Sequence, residues 1–166
     1  MTEVRDGAAA DLPVLTSIYN HYVEHSPATF DLERFSVEAR RTWLDHYADS
    51  GPHRLLVAID AGEVVGYATS SKFRPKAAYD PSVEVTVYVH PDATGKGIGS
   101  ALYDRLFGEL GSEQLHRAYA AITQPNPASV ALHRRFGFTD VGTMTEVGRK
   151  FGQWWDVLMM ERSLGS

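Results

Sequence analysis

The chain has 166 residues, of which 43% are hydrophobic, a size that favours one domain over residues 1–166 with a single core. A net charge of -5 at pH 7 disfavours nucleic acid as a partner, and the absence of cysteine excludes disulfides, thiolate metal sites and a thiol nucleophile. No apolar run is long enough to span a bilayer, and residues 1–15 lack the apolar stretch of a signal peptide, so we expect a cytoplasmic protein.

The N-terminal part of the chain predicts a short strand followed by two helices. Apolar residues recur at helical spacing over residues 11–25, and Asp11 is the predicted N-cap. A second helix is predicted to begin at Ser36, because the acidic residue Glu38 follows in its first turn. We expect this helix to end at Gly51-Pro52, since both residues interrupt helices.

The pattern then changes to that of three strands. Residues 54–60 and 63–73 are strand-like runs, and Ala61-Gly62 between them is typical of a hairpin turn. The loop FRPKAAYDP follows, and residues 82–89 form the third predicted strand.

The C-terminal part predicts helix, strand, helix and two strands. Asn126 is suited to cap the last helix, Pro127 to its first position and Gly137 to the position after its end. The remaining predicted elements are a helix from Ile98 to Gly111 and strands over 116–123, 138–147 and 154–161. The order of elements predicts a mixed α/β (α+β) domain with one sheet and helices on its faces.

The segment TGKGIGS joins the strand 82–89 directly to the following helix. Glycines at such a junction expose backbone N–H groups at the positive end of a helix dipole, which favours a bound phosphate. A nucleoside-triphosphate loop would need Ser or Thr where Gly97 follows Lys96, and a dinucleotide loop would need glycine where Ser100 stands. A pyrophosphate loop of another kind and a connection without ligand remain open.

The run VYVHPDATGKGIGSALY, followed by NPASVALHRRFGF, resembles the acyl-CoA-binding core of the GNAT acetyltransferase superfamily. Four spaced segments, from about residue 19 to 157, resemble more closely the phosphinothricin and methionine sulfoximine N-acetyltransferases. These segments are YNHYVEHSPATF, AYDPSVEVTVYVHP, PNPASVALHRRFGF and GRKFGQWWDV.

This resemblance implies the GNAT fold, a central and mostly antiparallel sheet with a splayed parallel strand pair and helices on both faces. It implies acetyl-CoA as co-substrate, no metal, and a homodimer without nucleic-acid or membrane partners. The implied reaction is direct attack on acetyl-CoA, in a ternary complex, by the primary amine of a small amino-acid-like substrate of the phosphinothricin, methionine sulfoximine or methionine sulfone type.

The resemblance also implies which residues bind coenzyme A. The main chain of Val87, Tyr88 and Val89 matches the strand that pairs with the pantetheine arm and offers an N–H to the acetyl carbonyl. Asn126 matches a coenzyme contact from the next helix, a role compatible with capping it. The pyrophosphate loop comprises Gly95, Lys96, Gly97, Ile98, Gly99 and Ser100.

Two residues are candidates for proton transfer. Glu84 lies in the middle of a β-branched strand, and the two-residue period places it on the face of Thr86 and Tyr88. Partial burial there raises a carboxylate pKa toward that of a useful base, and the resemblance implies this role, although a solvent-facing glutamate is the plain alternative. His133 matches a tyrosine proposed to protonate the leaving thiolate, with a helix-surface histidine as its alternative.

The resemblance places the acceptor pocket around the loop before the third strand and around that strand. A cation in the loop is suited to clamp an amino-acid carboxylate, and arginine does so with two parallel hydrogen bonds. The predicted substrate-binding residues are Arg74, Pro75, Lys76, Glu84, Val85, Thr86, Phe30, Tyr79 and Lys150.

Three other functions remain as alternatives. HYVEH at residues 21–25 fits a zinc-binding H-x-x-E-H pattern, but it lacks a third ligand and borders a predicted helix end. Another amine, such as a protein N-terminus or a polyamine, could be the acceptor. A coenzyme-A-binding sensor without catalysis is the third alternative.

Overall fold

A computed structural model describes residues 2–165, which form strands and helices in the predicted order. The strands are β1 (Glu3–Asp6), β2 (Leu55–Asp60), β3 (Glu63–Lys72), β4 (Ser82–Val89), β5 (Arg117–Gln124), β6 (Thr139–Lys150) and β7 (Gln153–Ser163). The helices are α1 (Leu12–His25), α2 (Val37–Leu44), α3 (Ile98–Leu110) and α4 (Pro127–Arg135). None of the helices among residues 2–165 combines the length and hydropathy that a bilayer-spanning segment requires.

The strands form one mixed sheet of seven strands in the order β1-β2-β3-β4-β5-β7-β6. Neighbouring strands are antiparallel except β4 and β5, which are parallel. Their pairing covers only three residue pairs and stops at Glu84 and Tyr119, so the two strands diverge beyond that point. The predicted sheet, mostly antiparallel with one splayed parallel pair, is confirmed.

Helices cover both faces of the sheet, because side chains along the central strands alternate between two apolar clusters. Val83 and Val85 of β4 lie in the cluster with α3, where α4 also packs. Val57 of β2 and Tyr67 of β3 belong instead to the cluster with α1 and α2. The sheet therefore separates an α3/α4 layer from an α1/α2 layer.

Most predicted helix ends are confirmed by local hydrogen bonds. Asn126 Oδ1 accepts from Ser129 N–H at 3.1 Å, and Ser36 Oγ accepts from Ala39 N–H at 3.1 Å. Gly137 adopts φ 86°, the left-handed conformation expected after a helix end. These signals act within a few residues of each other, which is why sequence alone could identify them.

Two predicted helix ends are wrong in detail. Asp11 occupies the predicted N-cap position of α1, but its carboxylate binds Arg5 and accepts from Ala8 N–H at 2.8 Å, so its side chain makes no cap bond to α1. The second helix ends at Leu44, well before Gly51-Pro52. After Leu44 the chain turns back toward β2, and Ala48 N–H donates a hydrogen bond to His53 O at 3.0 Å that closes this turn.

Candidate active site

The divergence of β4 and β5 leaves a cavity on each face of the sheet. The first cavity, of about 350 Å³, lies on the α3/α4 face and reaches from the glycine loop to α4. The second, of about 390 Å³, lies on the α1/α2 face between β4 and α2. Thr86 and Tyr88 of β4 line both cavities. We call them the loop cavity and the helix cavity.

The glycine loop has the backbone geometry of an anion cradle. Gly95 and Gly97 have φ values of 76° and 78°, and a Cβ at either position would meet no atom within 4 Å. The first helical bond of α3 is made by Ala101 N–H to Gly97 O at 3.0 Å, so the N–H groups before it have no helix partner. Such N–H groups at a helix N-terminus favour phosphate.

The other loop residues have differing roles. Gly99 packs closely against α4, because a Cβ there would lie 3.1 Å from Leu132 Cδ2 and would push this side chain aside. Lys96 is exposed and is the one predicted loop residue that does not line the loop cavity. Its charge can therefore act only from the rim.

The β4 main chain and Asn126 also line the loop cavity. Val87, Tyr88 and Val89 lie beyond the point where β4 separates from β5, so this edge of β4 is available to a ligand. Tyr22 donates a hydrogen bond to Val89 O, which ties the end of α1 to this strand. The predicted coenzyme residues of β4, α3 and α4 thus surround one groove.

Glu84 lines the helix cavity on the same face of β4 as Thr86 and Tyr88. Desolvation by burial raises the pKa of its carboxyl group, and the charge of Arg74 opposes this shift less strongly. The carboxylate lies where β4 and β5 begin to diverge. Because its pKa is raised, it is a stronger base than an exposed glutamate.

His133 lies inside the protein, only 3% exposed, not on the helix surface. Nδ1 donates to Ser129 O at 2.7 Å, and Nε2 lies 2.9 Å from the Tyr103 hydroxyl. Burial lowers the pKa of the imidazole, which favours the neutral ring, so Nε2 accepts the hydroxyl proton of Tyr103. The proton on Nδ1 is then engaged by Ser129 O, and Nε2 carries none, so neither nitrogen can donate a proton to a thiolate. These bonds favour a structural role, and the predicted role as general acid gains no support from them.

The loop before β4 holds several predicted substrate residues outside the helix cavity. Arg74 lies near enough to influence Glu84, and its Cζ lies 4.8 Å from the Phe73 ring centroid. Tyr79 packs on the same Phe73 ring, with centroids 5.9 Å apart. Pro75 and Lys76 are exposed. The loop therefore flanks the carboxylate of Glu84 without enclosing the cavity.

Three predicted substrate residues have surroundings that sequence did not anticipate. The Val85 side chain is buried in the α3-side cluster, so only its main chain can meet a substrate. Phe30 packs over Gly148, whose added Cβ would lie 2.2 Å from the ring. Lys150 is 3% exposed and donates to Ser26 O and Thr29 O, both at 2.8 Å. Its ammonium anchors the segment after α1 and is not free for a carboxylate.

Sequence reasoning missed Arg40, Trp43 and Tyr67, which line the helix cavity with Glu84. One signal was available. Arg40 lies three residues before Trp43 on α2, so a charged side chain shares the helix face of a half-buried aromatic residue. A charge on an apolar helix face indicates either a buried ion pair or a ligand.

Among residues 2–165, no group of three or more His, Asp or Glu side chains lies close enough to hold a metal ion. His21 and His25 are neighbours, with ring centroids 5.0 Å apart. Glu24 between them pairs with Arg34 at 2.8 Å. The H-x-x-E-H pattern therefore coincides with the end of α1 and lacks a third ligand there.

The model of the acetyltransferase (GNAT) family matches residues 15–138. The chain belongs to this family. A phosphinothricin N-acetyltransferase of Streptomyces coelicolor is 58% identical over 164 residues, which cover 98% of this chain and 96% of the relative. An L-methionine sulfoximine/L-methionine sulfone acetyltransferase of Pseudomonas aeruginosa is 41% identical, covering 97% of this chain and 94% of the relative.

A solved structure extends the match to three dimensions. A GNAT superfamily phosphinothricin acetyltransferase from Sinorhizobium meliloti, crystallised in complex with AcCoA, superposes with a TM-score of 0.94 at 37% identity. The superposition covers 99% of this chain and 89% of the other. The predicted fold class and the predicted resemblance are confirmed, and this GNAT protein is an N-acetyltransferase that uses acetyl-CoA as co-substrate.

Proposed function

We propose that this GNAT protein acetylates the primary amine of a small amino-acid-like acceptor of the phosphinothricin, methionine sulfoximine or methionine sulfone type. The transfer is direct, within a ternary complex. The relatives with these acceptors in their names match the chain over nearly its whole length. A helix cavity of about 390 Å³ is of the size expected for a small molecule.

The loop cavity fits coenzyme A. Gly95 and Gly97 leave open space in front of the α3 N-terminus, where a diphosphate meets unpaired N–H groups. The free edge of β4 at Val87, Tyr88 and Val89 can pair with the amide groups of a pantetheine arm. Asn126 lines the same groove beside its own cap bond. When bound, acetyl-CoA supplies an activated thioester.

On the opposite face, we assign Glu84 as the base that takes a proton from the acceptor ammonium group. Its raised pKa and its place where β4 diverges from β5 support this role. Arg74 is the candidate for the α-carboxylate, since its charge already acts on Glu84. In such an acceptor the α-carboxylate and the amine are bonded to the same carbon. The residues that bind them, Arg74 and Glu84, must therefore lie close to each other.

One observation carries the proposal: the loop cavity and the helix cavity meet at Thr86 and Tyr88, beside the carboxylate of Glu84. Two ligands that enter from opposite faces of the sheet can then react without a covalent enzyme intermediate. The absence of cysteine agrees with this, because no thiol is present to carry the acetyl group.

We also infer a homodimer in the cytoplasm. A chain without cysteine suits a reducing compartment. Strand β6 is at one edge of the sheet and exposes Val141, Met144 and Val147 at 56%, 42% and 50%. Exposed apolar side chains grouped on one strand are typical of surfaces that contact a partner.

The test measures release of the coenzyme A thiol with phosphinothricin, methionine sulfoximine and methionine sulfone at varied acetyl-CoA concentrations. We expect turnover with at least one of them, and double-reciprocal lines that intersect, as a ternary complex requires. A polyamine and an N-terminal peptide serve as comparison acceptors.

Faster turnover of either comparison acceptor would contradict the proposed acceptor class, and parallel lines would contradict direct transfer. Coenzyme A binding in calorimetry without turnover of any amine would instead favour a sensor.

A further inference from the structure

Arg40 is a buried cation without a carboxylate partner. It is 6% exposed, and its Cζ lies 3.9 Å from the ring centroid of Trp43 and 4.3 Å from that of Tyr19. Within residues 2–165, no carboxylate oxygen lies within 4.0 Å of its guanidinium nitrogens, and Nε has no hydrogen-bond partner. Stacking on aromatic rings offsets part of the desolvation cost of this charge. The unused donors indicate an anion that the chain itself does not supply.

Tyr67 is a second buried donor without a partner. It is 1% exposed, and its hydroxyl makes no hydrogen bond within residues 2–165. Its ring lies 5.7 Å from that of Trp43, the same ring on which Arg40 stacks. Both side chains line the helix cavity with Glu84. Two unsatisfied donors therefore lie beside one indole ring in the wall of this cavity.

We propose that Arg40 and Tyr67 bind the oxygen atoms of the tetrahedral phosphorus or sulfur group on the acceptor side chain. This assignment rests on the proposed function and names the part of the acceptor that the helix cavity selects. A guanidinium donates two parallel hydrogen bonds, which suits two oxygens on one atom, and the phenol adds a third donor. Arg74 outside the cavity is left for the α-carboxylate.

Apart from tyrosines, two other ionisable side chains line this cavity. Asp31 is exposed and accepts a hydrogen bond from the Tyr19 hydroxyl, and His46 is exposed in the turn after α2. Neither pairs with Arg40, so neither replaces the missing anion. A buried cation in the pocket also disfavours a polyamine acceptor, which carries positive charge along its length.

The test compares Arg40→Met and Tyr67→Phe with three acceptors: phosphinothricin, methionine sulfone and methionine. All three share the amino-acid head group, but methionine lacks side-chain oxygens. For Arg40→Met we expect KM to rise about 30-fold with phosphinothricin and about tenfold with the sulfone. For Tyr67→Phe we expect a rise of about fivefold with both. KM for methionine should change by less than about threefold in either variant.

Arg41→Met is the matched control, because Arg41 is the next residue of α2, is exposed and pairs with Glu38 at 3.0 Å. It should leave all three KM values unchanged. Calorimetry with coenzyme A shows whether each variant is folded. If Arg40→Met does not fold, the KM values of Tyr67→Phe decide the test.

Equal losses with all three acceptors would overturn the assignment, since Arg40 would then bind the α-carboxylate or serve only packing. Unchanged KM values in both variants would overturn it as well. A wild-type protein that acetylates none of the acceptors would instead overturn the proposed function.

Discussion

Glu84 derives its chemical properties from its position in β4. Its neighbours Val83 and Val85 are buried on the other face, while its own side chain lines a cavity beside aromatic residues. Desolvation there raises the pKa of the carboxyl group, and Arg74 limits the shift. Such a carboxylate accepts a proton more readily than an exposed one.

We predict that Glu84→Gln lowers kcat about a thousandfold, because the amide cannot accept the ammonium proton. In the wild type, kcat/KM should fall as pH decreases through the raised pKa of Glu84, hence at a higher pH than an ordinary glutamate would give. Steady-state rates over a pH series measure both effects.

Glu63→Gln is the control for this variant, because Glu63 is an exposed glutamate at the start of β3. It should keep the wild-type kcat and pH profile. A Glu84→Gln enzyme with more than about a tenth of wild-type kcat would contradict the role of Glu84 as base.

At the scale of elements, the junction of β4 and α3 combines an unusual backbone conformation with open space. Gly97 has φ 78°, and nothing lies within 4 Å of the position of an added Cβ. An alanine there adopts the left-handed conformation at a cost of about 1 kcal/mol, and its methyl group occupies the space before the helix N-terminus. Glycine adopts this conformation without that cost and leaves the space open for a ligand.

We therefore predict that Gly97→Ala raises KM for acetyl-CoA about tenfold and lowers the free energy of unfolding by about 1 kcal/mol. Initial rates at varied acetyl-CoA and urea unfolding measure the two effects separately. KM for the amine acceptor should change little, because the acceptor enters from the other face of the sheet.

Gly62→Ala is a matched control, since Gly62 has φ 81°, is exposed in the β2–β3 hairpin and has the same open space. We expect the same loss of stability and no change in KM. An equal rise in KM for both variants would show that strain, not the lost space at the loop, causes the effect.

The elements that sequence predicted well are those whose signals are local. Helix α4 begins and ends where Asn126 and Gly137 indicated, because a cap and a left-handed residue act within one turn. The end of α2 was wrong because a contact between Ala48 and His53 decides it. Sequence could place Glu84 on a face of β4, but not the aromatic residues that bury it.

Lys150 shows the same limit within the candidate site. The motif around it suggested a substrate contact, yet its ammonium binds carbonyl oxygens of Tyr22, Ser26 and Thr29, residues 121 to 128 positions earlier. The environment of Arg40 likewise depends on α1, α2 and the sheet together. Charged residues inside a fold take their roles from distant neighbours, and a single sequence does not contain those distances.

For the whole molecule, the central divergence of the sheet gives each ligand its own face. The two cavities meet at β4, so reaction is confined to the strand that both ligands reach. Strands β6 and β7 extend the sheet on the far side of β5 and take little part in either cavity. Their exposed apolar side chains therefore need an explanation other than catalysis.

We expect those side chains to form the contact between two copies of the chain. The register of β6 on β7 shifts twice, after Asp140 and after Met144, and such bulges hinder pairing with another edge strand. The contact should therefore use side chains and not strand hydrogen bonds. Met144→Asp should weaken dimerisation at least about 100-fold in sedimentation velocity, because a buried unpaired carboxylate opposes association.

Tyr79→Asp is the control, since Tyr79 is exposed to the same degree, 41% against 42% for Met144, but lies in the loop before β4. It should leave the dimer intact. If the dimer persists in Met144→Asp and dissociates in Tyr79→Asp, the contact between subunits lies instead at the loop beside the acceptor site. In that arrangement one subunit would border the helix cavity of the other, and acceptor KM would depend on protein concentration. With the contact on β6, KM should be independent of it.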